Sequence, residues 1–289
     1  MRNEFKNTNI TISSIKASIL FILIILTFGC SKDSDSNEND IQPRYRLKNC
    51  RIEYLIFNDN IRYSSLTDLY FNTSQGQIIK TEFKYNNNKL SHVNGGFFNN
   101  YLAGLVFTDS IYDSIVNNGT ITDVYTKPQY FPGFFGNYYK NDSISYVVNN
   151  SNRLSRITLI NGENLTYIYS VDTIKEIDSM GEVIRTFYFK NKNLVKVEEI
   201  LGDKTSGNYY FVEYHFNNYD SKPNPLKGMY FMEGAFFRSL SENNYLDFSK
   251  TISYYDHGIF AGIFKSYNFK MPFTYNSLGY PNFGEYEEY

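Results

Sequence analysis

The chain has 289 residues and a formal net charge of −2 at pH 7. Its 28 lysine and arginine residues are interspersed with 30 acidic residues, so no basic stripe is available to neutralise a run of phosphates. This pattern argues against nucleic acid as a partner. The 28 tyrosines and 25 phenylalanines, with no tryptophan, favour half-buried β-strands.

The first 29 residues have the pattern of a lipoprotein signal peptide. Three basic residues, Arg2, Lys6 and Lys16, precede an apolar run over residues 19–26 that ends shortly before Cys30. The run is shorter than the roughly 20 apolar residues that a membrane-spanning helix needs. We therefore predict cleavage before Cys30 and acylation of its thiol. The alternative is a signal that is not cleaved, or is cleaved conventionally.

The residues after Cys30 predict the destination of the protein. Ser31 stands where an aspartate would signal retention in the inner membrane. Ser31, Lys32 and Asp33, followed by further acids up to Asp40, resemble the signal that exports Bacteroidetes-type lipoproteins to the cell surface. We predict a lipoprotein of the outer membrane, displayed on the cell surface, in which residues 30–46 form a flexible acidic tether.

Residues 47–289 are predicted to form a single β-repeat domain, large enough to bury its own core. If Cys30 carries lipid, Cys50 is the only thiol of the mature chain, so no intramolecular disulfide is expected. Cys50 begins an apolar strand and is predicted to be a core residue rather than a nucleophile. A short helix is expected within residues 228–240.

A repeat with a period of about 20 residues runs through residues 147–202. Apolar residues recur in register and predict equivalent inward positions in successive hairpins. Because side chains alternate between the faces of a strand, an error of one residue would exchange the buried and exposed sides. The four columns are Val147, Tyr167 and Phe187; Leu154, Ile174 and Leu194; Ile157, Ile177 and Val197; and Ile160, Met180 and Ile200.

An aromatic triplet opens several of these units, as in Phe83-Lys-Tyr-Asn86, Tyr167-Ile-Tyr-Ser170 and Phe187-Tyr-Phe-Lys190. A turn and a Leu-x-x-Ile-like pair follow each triplet. This arrangement resembles, in degenerate form, the tyrosine-aspartate repeats of RHS-type proteins. The resemblance implies a mainly β fold, an extended antiparallel meander of repeated hairpins in a curved sheet, with few or no helices.

Three C-terminal segments carry a closer resemblance. They are Tyr219-Asp-Ser-Lys-Pro-Asn-Pro225, Leu240-Ser-Glu-Asn-Asn244 and Thr274-Tyr-Asn-Ser-Leu-Gly-Tyr-Pro281. Such segments are typical of a family of Bacteroidetes lipoproteins of unknown function that is built from degenerate tyrosine-aspartate repeats. The resemblance covers most of residues 48–285 and implies the mainly β fold and the outer-membrane location predicted above. It implies no catalytic or ligand-binding residues.

Residues from about 94 to 140 interrupt the repeats and are predicted to form an irregular insertion, because glycine and proline break regular strand pairing there. Loops on a rigid scaffold often carry recognition, so paired aromatic residues in this segment predict a binding surface. The alternative is that their rings fold over one end of the sheet and are buried. The residues concerned are Tyr130, Phe131, Phe134, Phe135, Tyr138 and Tyr139.

Motifs for catalysis or metal binding are scarce. His92, His215 and His257 lack the close spacings of zinc ligands, and no phosphate-binding glycine loop, nucleophile elbow or calcium loop is present. Glu198 and Glu199 point to opposite faces of one strand, so they cannot form a facing carboxylate pair. We therefore predict no metal, no cofactor and no enzymatic activity.

These features predict a lipid-anchored surface lipoprotein that acts as a non-enzymatic binding or structural module. Its partners would be the membrane, through the lipid, and an unknown protein or glycan. A glycan-binding accessory lipoprotein is one alternative, favoured by the tyrosines, phenylalanines and acidic tether and disfavoured by the lack of tryptophan. The other is a hydrolase whose carboxylates meet only in the fold, marked by clustered acids with raised pKa values in a cleft.

Overall fold

The computed structural model describes residues 45–51, 80–100, 104–128, 143–232, 235–271 and 273–289. The chain divides into two units, Met1–Arg44 and Tyr45–Tyr289, and all the described residues belong to the second. The predicted signal peptide and most of the predicted tether lie outside the described residues. Tyr45 and Arg46, which the sequence places in the tether, already belong to the first strand.

The described strands form one antiparallel sheet in which almost every strand pairs with its neighbour in sequence. The last strand is the exception, because it returns to pair with the first, so that β14 and β15 are the two edges. This architecture confirms the predicted mainly β meander with few helices. The strands are β1 (Tyr45–Arg51), β2 (Lys80–Asn86), β3 (Lys89–Asn100), β4 (Gly104–Asn118), β5 (Ile121–Pro128), β6 (Ser143–Val148), β7 (Leu154–Thr158), β8 (Asn164–Tyr169), β9 (Thr173–Ile177), β10 (Val183–Lys190), β11 (Asn193–Asp203), β12 (Asn208–Tyr219), β13 (Tyr245–Asp256), β14 (Ile259–Lys270) and β15 (Gly284–Glu288).

Several hairpins turn on residues that tolerate a left-handed backbone. Asn87 and Asn88, between β2 and β3, have φ angles of 47° and 62°. Asn191 and Lys192, between β10 and β11, have φ angles of 51° and 63°. Two consecutive residues with positive φ give the twist that a tight hairpin needs, and asparagine adopts this conformation at low cost.

The predicted repeat is confirmed in the column of Leu154, Ile174 and Leu194, all of which are buried. Two other columns hold in part. Tyr167 and Phe187 are buried, but in the first copy Tyr146 rather than Val147 is buried. The fourth column is wrong, since Ile160 and Met180 lie in exposed turns and Ile200 is half-buried.

β-Bulges explain why the third column also fails in one copy. Ser155 in β7 and Val195 in β11 are extra residues without a partner on the preceding strand. Each bulge places the buried residues three apart, as at Leu154 and Ile157. The pairing of β8 with β9 is regular, so the buried residues there are two apart, and Glu176 takes the inward position expected for Ile177.

A C-terminal cover closes the core over the central strands. The short helix α1 (Phe236–Ser239) confirms the helix expected within residues 228–240. The fully buried rings of Phe236 and Phe237 pack against the ring of Phe187, with centroids 6.0 and 6.2 Å away. Cys50 is fully buried and belongs to the same core, as predicted.

The three C-terminal segments named above meet at Asp220. Its Oδ1 accepts a hydrogen bond from the backbone N–H of Asn244, at 3.0 Å. Its Oδ2 accepts from the Asn244 side-chain amide at 3.0 Å and from the Tyr275 hydroxyl at 2.6 Å. The Asp220 carboxylate therefore connects three segments that are far apart in the sequence through hydrogen bonds.

The segment predicted to be an irregular insertion differs from that prediction over its described part. β4 and β5 occupy residues 104–118 and 121–128 and continue the sheet with antiparallel pairing. Gly104 and Pro128 stand at the ends of these strands, where they interrupt little of the ladder. Gly95, in contrast, lies within β3 at a β-bulge, with a φ angle of 92°.

Candidate binding surface

The predicted site residues lie outside the described part of the chain. The lipidation and export predictions therefore remain predictions, as does the predicted aromatic binding surface. The residues concerned are Cys30, Ser31, Lys32 and Asp33, together with Tyr130, Phe131, Phe134, Phe135, Tyr138 and Tyr139.

A different group of apolar side chains is uncovered at one corner of the sheet, where β12 begins, β13 ends and β14 begins. We call it the aromatic corner. Four of its members are among the most exposed large apolar residues that the structure describes. They are Ile259, Phe260, Ile263 and Phe264, which are 72%, 55%, 64% and 63% exposed; Tyr209, Tyr210, Tyr254 and Tyr255 complete the group.

The rings of the aromatic corner form two clusters on opposite faces of the sheet. On one face the rings of Tyr209 and Tyr255 are stacked, with centroids 4.8 Å apart, and Phe260 lies 5.8 Å from Tyr255. On the other face Tyr210 lies 5.2 Å from Tyr254 and 5.6 Å from Phe264. Consecutive tyrosines supply both clusters because neighbouring side chains in a strand point to opposite faces.

Two backbone connections hold this corner in place. A 3-10 helix over Lys204–Ser206, capped by Asp203, joins β11 to β12 and ends at Gly207. The carbonyl oxygen of Gly207 accepts a hydrogen bond from the N–H of Gly258 in the β13–β14 turn, at 2.8 Å. A Cβ at position 207 would come within 2.9 Å of that turn, so only glycine fits this close approach.

Two tyrosine doublets in the sequence are a signal for this surface. The doublets Tyr209-Tyr210 and Tyr254-Tyr255 pair with each other across adjacent strands. A doublet of large rings in a strand puts one ring on each face, and only one face of a strand usually covers the core. Such doublets therefore indicate aromatic side chains outside the main core.

A second candidate is a buried cluster of charged and hydroxyl side chains beneath α1. The Arg185 guanidinium donates to Glu199 Oε1 through Nε at 3.0 Å and through Nη2 at 2.6 Å. Its Nη1 lies 3.5 Å from Glu176 Oε1. Tyr167 donates its hydroxyl hydrogen to Glu176 Oε2 at 2.6 Å, and Tyr214 donates to Glu199 Oε2 at 2.8 Å.

The hydrolase alternative requires acids with raised pKa values in a cleft. The buried cluster contains an acid with a raised pKa, but that acid does not lie in a cleft. Burial raises the pKa of Glu176, although the neighbouring Arg185 and the Tyr167 hydrogen bond oppose the shift. The side chain of Glu176 is completely buried, and the rings of Phe236 and Phe237 pack against Tyr167 and Tyr214. A substrate would have to displace these rings to reach a carboxylate, so the geometry supports a structural role.

Glu198 and Glu199 lie on opposite faces, as predicted. Glu199 belongs to the buried cluster, whereas Glu198 is half-buried on the other face. Burial alone would raise the pKa of Glu198, but hydrogen bonds from Lys196 and Tyr188 outweigh this effect and lower it. Such a carboxylate is stabilised in its charged form and is poorly suited to act as a general acid.

Within the described ranges, no three His, Cys, Asp or Glu side chains are grouped in a way that suits a metal ion. His92 and His257 hydrogen-bond to their neighbours Ser91 and Asp256. Among the described residues, none of the helices is long and apolar enough to cross a membrane.

Comparison with known proteins leaves the chain without an assigned family. No protein-family model matches it, and no characterised protein matches its sequence. Two similar solved structures are described as porin-like proteins. The protein from Bacteroides vulgatus is 11% identical with a TM-score of 0.36, and the match covers 71% of this chain and 86% of that one. The protein from Bacteroides uniformis is 9% identical with a TM-score of 0.34, and the match covers 65% and 86%. Similarity at this level carries no argument about function.

Proposed function

We propose that the protein is a lipid-anchored, surface-displayed lipoprotein of the outer membrane that acts as a non-enzymatic binding or structural module. The proposed cellular location is supported by the lipoprotein signal pattern around Cys30 and by the resemblance to Bacteroidetes lipoproteins. The proposed recognition surface is the aromatic corner, because its apolar side chains are uncovered on a rigid scaffold. This exposure is the single observation that supports the binding role most strongly.

A large apolar patch that stays exposed to water lacks the stabilisation that burial would provide. Each fully buried Phe or Ile side chain is stabilised by roughly 1.5–3 kcal/mol relative to the exposed state, and the four most exposed residues of the corner forgo much of this gain. Large exposed apolar patches on soluble proteins usually mark contacts with another molecule. A partner that covered the corner would recover this free energy.

The lipid anchor can be tested directly. Labelled palmitate is expected to enter the wild-type protein, and Cys30→Ser is expected to abolish the label, because the acyl chain needs the thiol. Added protease should remove the domain from intact cells, and Lys32→Ala with Asp33→Ala should reduce this removal. Label that persisted in Cys30→Ser would refute the anchor, and complete protection of the wild type would place the domain inside the outer membrane.

Polar replacements in the aromatic corner should leave the fold intact. Phe260→Ser and Phe264→Ser are expected to change the melting temperature by less than about 2 °C, since surface substitutions usually cost under 0.5 kcal/mol. The matched control is Phe187→Ser in the fully buried core, which should unfold the domain. A large loss of melting temperature in Phe264→Ser would instead show that this ring is structural cover.

The glycan-binding alternative is favoured by one feature of the corner, the stacked pair of Tyr209 and Tyr255. Aromatic rings pack against the apolar faces of other rings, and tyrosine adds a hydroxyl group that can hydrogen-bond. A glycan array probed with the wild-type chain and with Tyr255→Ser distinguishes a glycan ligand from a protein partner. A signal that Tyr255→Ser removes would favour a glycan ligand, and an empty array would favour a protein partner.

A further inference from the structure

We propose that the partner of the aromatic corner is a second copy of this chain, joined edge to edge through residues 259–264 of β14. This inference rests on the proposed binding role of the corner and names its occupant. Three properties of β14 support it. The strand lies at an edge of the sheet, residues 259–264 carry no charge, and their apolar side chains are arranged so that two copies of the strand match each other.

The two edges of the sheet differ in how they are protected. β15 carries Glu285 and Glu287, which form ion pairs with Lys80 at 2.6 Å and with Arg46 at 2.7 Å. Charged side chains are a common device that keeps an exposed edge from pairing with other chains. The first six residues of β14, Ile259-Phe-Ala-Gly-Ile-Phe264, contain no charged or polar side chain and no proline.

The edge of β14 is therefore open to a partner. Its hydrogen-bonded neighbour is β13, and no strand of the described residues pairs with its other side. Every described side chain along β14 is exposed or half-buried. An apolar, uncharged strand edge of this kind is a template for pairing with another strand.

A β-bulge makes these residues self-complementary. Phe260 pairs with Tyr255 and Ile263 pairs with Ser253, while Ala261 between them has no partner on β13. The extra residue puts Phe260 and Ile263 on one face, although they are an odd number of positions, three, apart in the sequence. Phe264 is a second extra residue without a partner on β13, between Ile263 and Lys265. Its ring contacts Tyr210, on the face opposite to that of Phe260, and Ile259, which pairs with Asp256, lies on that same opposite face.

A two-fold axis perpendicular to the sheet, between Ala261 and Gly262, preserves these faces in an antiparallel pair of β14 strands. It brings Phe260 of one copy beside Ile263 of the other on one face. On the opposite face it brings Ile259 beside Phe264. The two small residues at the centre let the backbones approach, and each apolar side chain gains an apolar neighbour.

The charges of β14 favour this register. Lys265 of each copy would stand opposite Gly258 of the other, which keeps the two lysines about 23 Å apart along the strands. That distance exceeds the screening length of about 8 Å at physiological ionic strength, so repulsion between them is small. Pairing of β14 with β15 of another copy would instead place apolar side chains against glutamates.

Cysteine crosslinking in cells that express the full chain tests this arrangement. Two co-expressed copies that carry different tags, one with Phe260→Cys and the other with Ile263→Cys, should give a disulfide-linked dimer on a non-reducing gel, because the proposed axis places these two cysteines opposite each other while the other apolar pairs are kept. Ser266→Cys/Asn268→Cys is the matched control on the same strand. The axis puts its closest cysteines about 30 Å apart, so it should remain monomeric.

Sedimentation of the full chain in mild detergent gives a second measurement. The wild type should sediment as a dimer, and Phe264→Ser should raise the dissociation constant at least tenfold while the melting temperature, measured at a concentration at which both proteins are monomeric, is kept. Equal crosslinking of both cysteine pairs, or no crosslinking of either, would overturn the two-fold pairing. If crosslinking fails while Phe260→Ser leaves the melting temperature unchanged, the second copy is excluded as the partner, whereas the proposed binding role of the corner is not refuted.

Discussion

Glu199→Gln is expected to lower the free energy of unfolding by about 3 kcal/mol or more, which chemical denaturation would measure. Glu199 holds Arg185 through two hydrogen bonds to Oε1 and accepts another from Tyr214. Without its charge, the buried guanidinium faces a neutral amide at position 199, and the carboxylate of Glu176 lies farther away, with Oε1 3.5 Å from Nη1. Removing one partner of a buried ion pair leaves a charge that the protein interior solvates poorly.

Glu176→Gln is the matched variant, and it should change the free energy of unfolding at pH 7 by only about 1 kcal/mol or less. Glutamine still offers an oxygen to the Tyr167 hydroxyl, and Arg185 keeps its two hydrogen bonds to Glu199. A loss as large as that of Glu199→Gln would show that Arg185 depends on both carboxylates equally.

Glu176→Gln should also differ from the wild type in its dependence on pH. Because burial raises the pKa of Glu176 above its ordinary value of 4.5, the folded state binds this proton more tightly than the unfolded state does. The protonated group stabilises the fold at low pH, and this contribution is lost as the pH rises from 4.5 through the raised pKa. Glu176→Gln should remove that loss, which denaturation at a series of pH values would detect.

Core truncations should show whether the repeat positions are equivalent. Leu154→Ala, Ile174→Ala and Leu194→Ala are each expected to cost about 2–5 kcal/mol, because all three side chains are buried. The control is Lys175→Ala, beside Ile174 on the exposed face of β9, which should cost less than about 0.5 kcal/mol. Thermal or denaturant melts would measure both.

The outcome at β9 distinguishes between two registers. If Ile174→Ala were neutral and Lys175→Ala damaging, the faces of β9 would be exchanged relative to the structure. Met180→Ala serves as a second control, because the sequence placed Met180 in an inward column and the structure places it in an exposed turn.

The β class and the meander could be predicted because they depend on local chemistry. Alternating aromatic and β-branched residues suit a pleated strand, and residues such as Asn87 and Asn88 suit the turn that follows. Hairpin order then follows from chain order, since most strands pair with their neighbours in sequence. The inward position of Leu154, Ile174 and Leu194 was predictable for the same reason.

Bulges and partners distant in sequence could not be predicted in this way. A bulge changes which residue faces inward without changing the apolar pattern. Because β9 lacks the bulge that β7 and β11 contain, Glu176 occupies a position that the repeat assigned to Ile177. A buried glutamate is acceptable there only because Arg185 and Tyr167 come from neighbouring strands to meet it. The spacing of residues within one strand does not indicate which side chains of neighbouring strands will contact each other.

The sequence by itself determined the β-strands, their turns and the main inward column, because these depend on neighbours within a few residues. Only the tertiary structure decided that Asp220, Asn244 and Tyr275 meet, that α1 covers the charged cluster, and that β14 is an edge strand among the strands described. These features depend on which strand is last in the sheet and on where the C-terminal segment folds back. Both are set by the packing of the whole chain, since burial is a property of all neighbours in space.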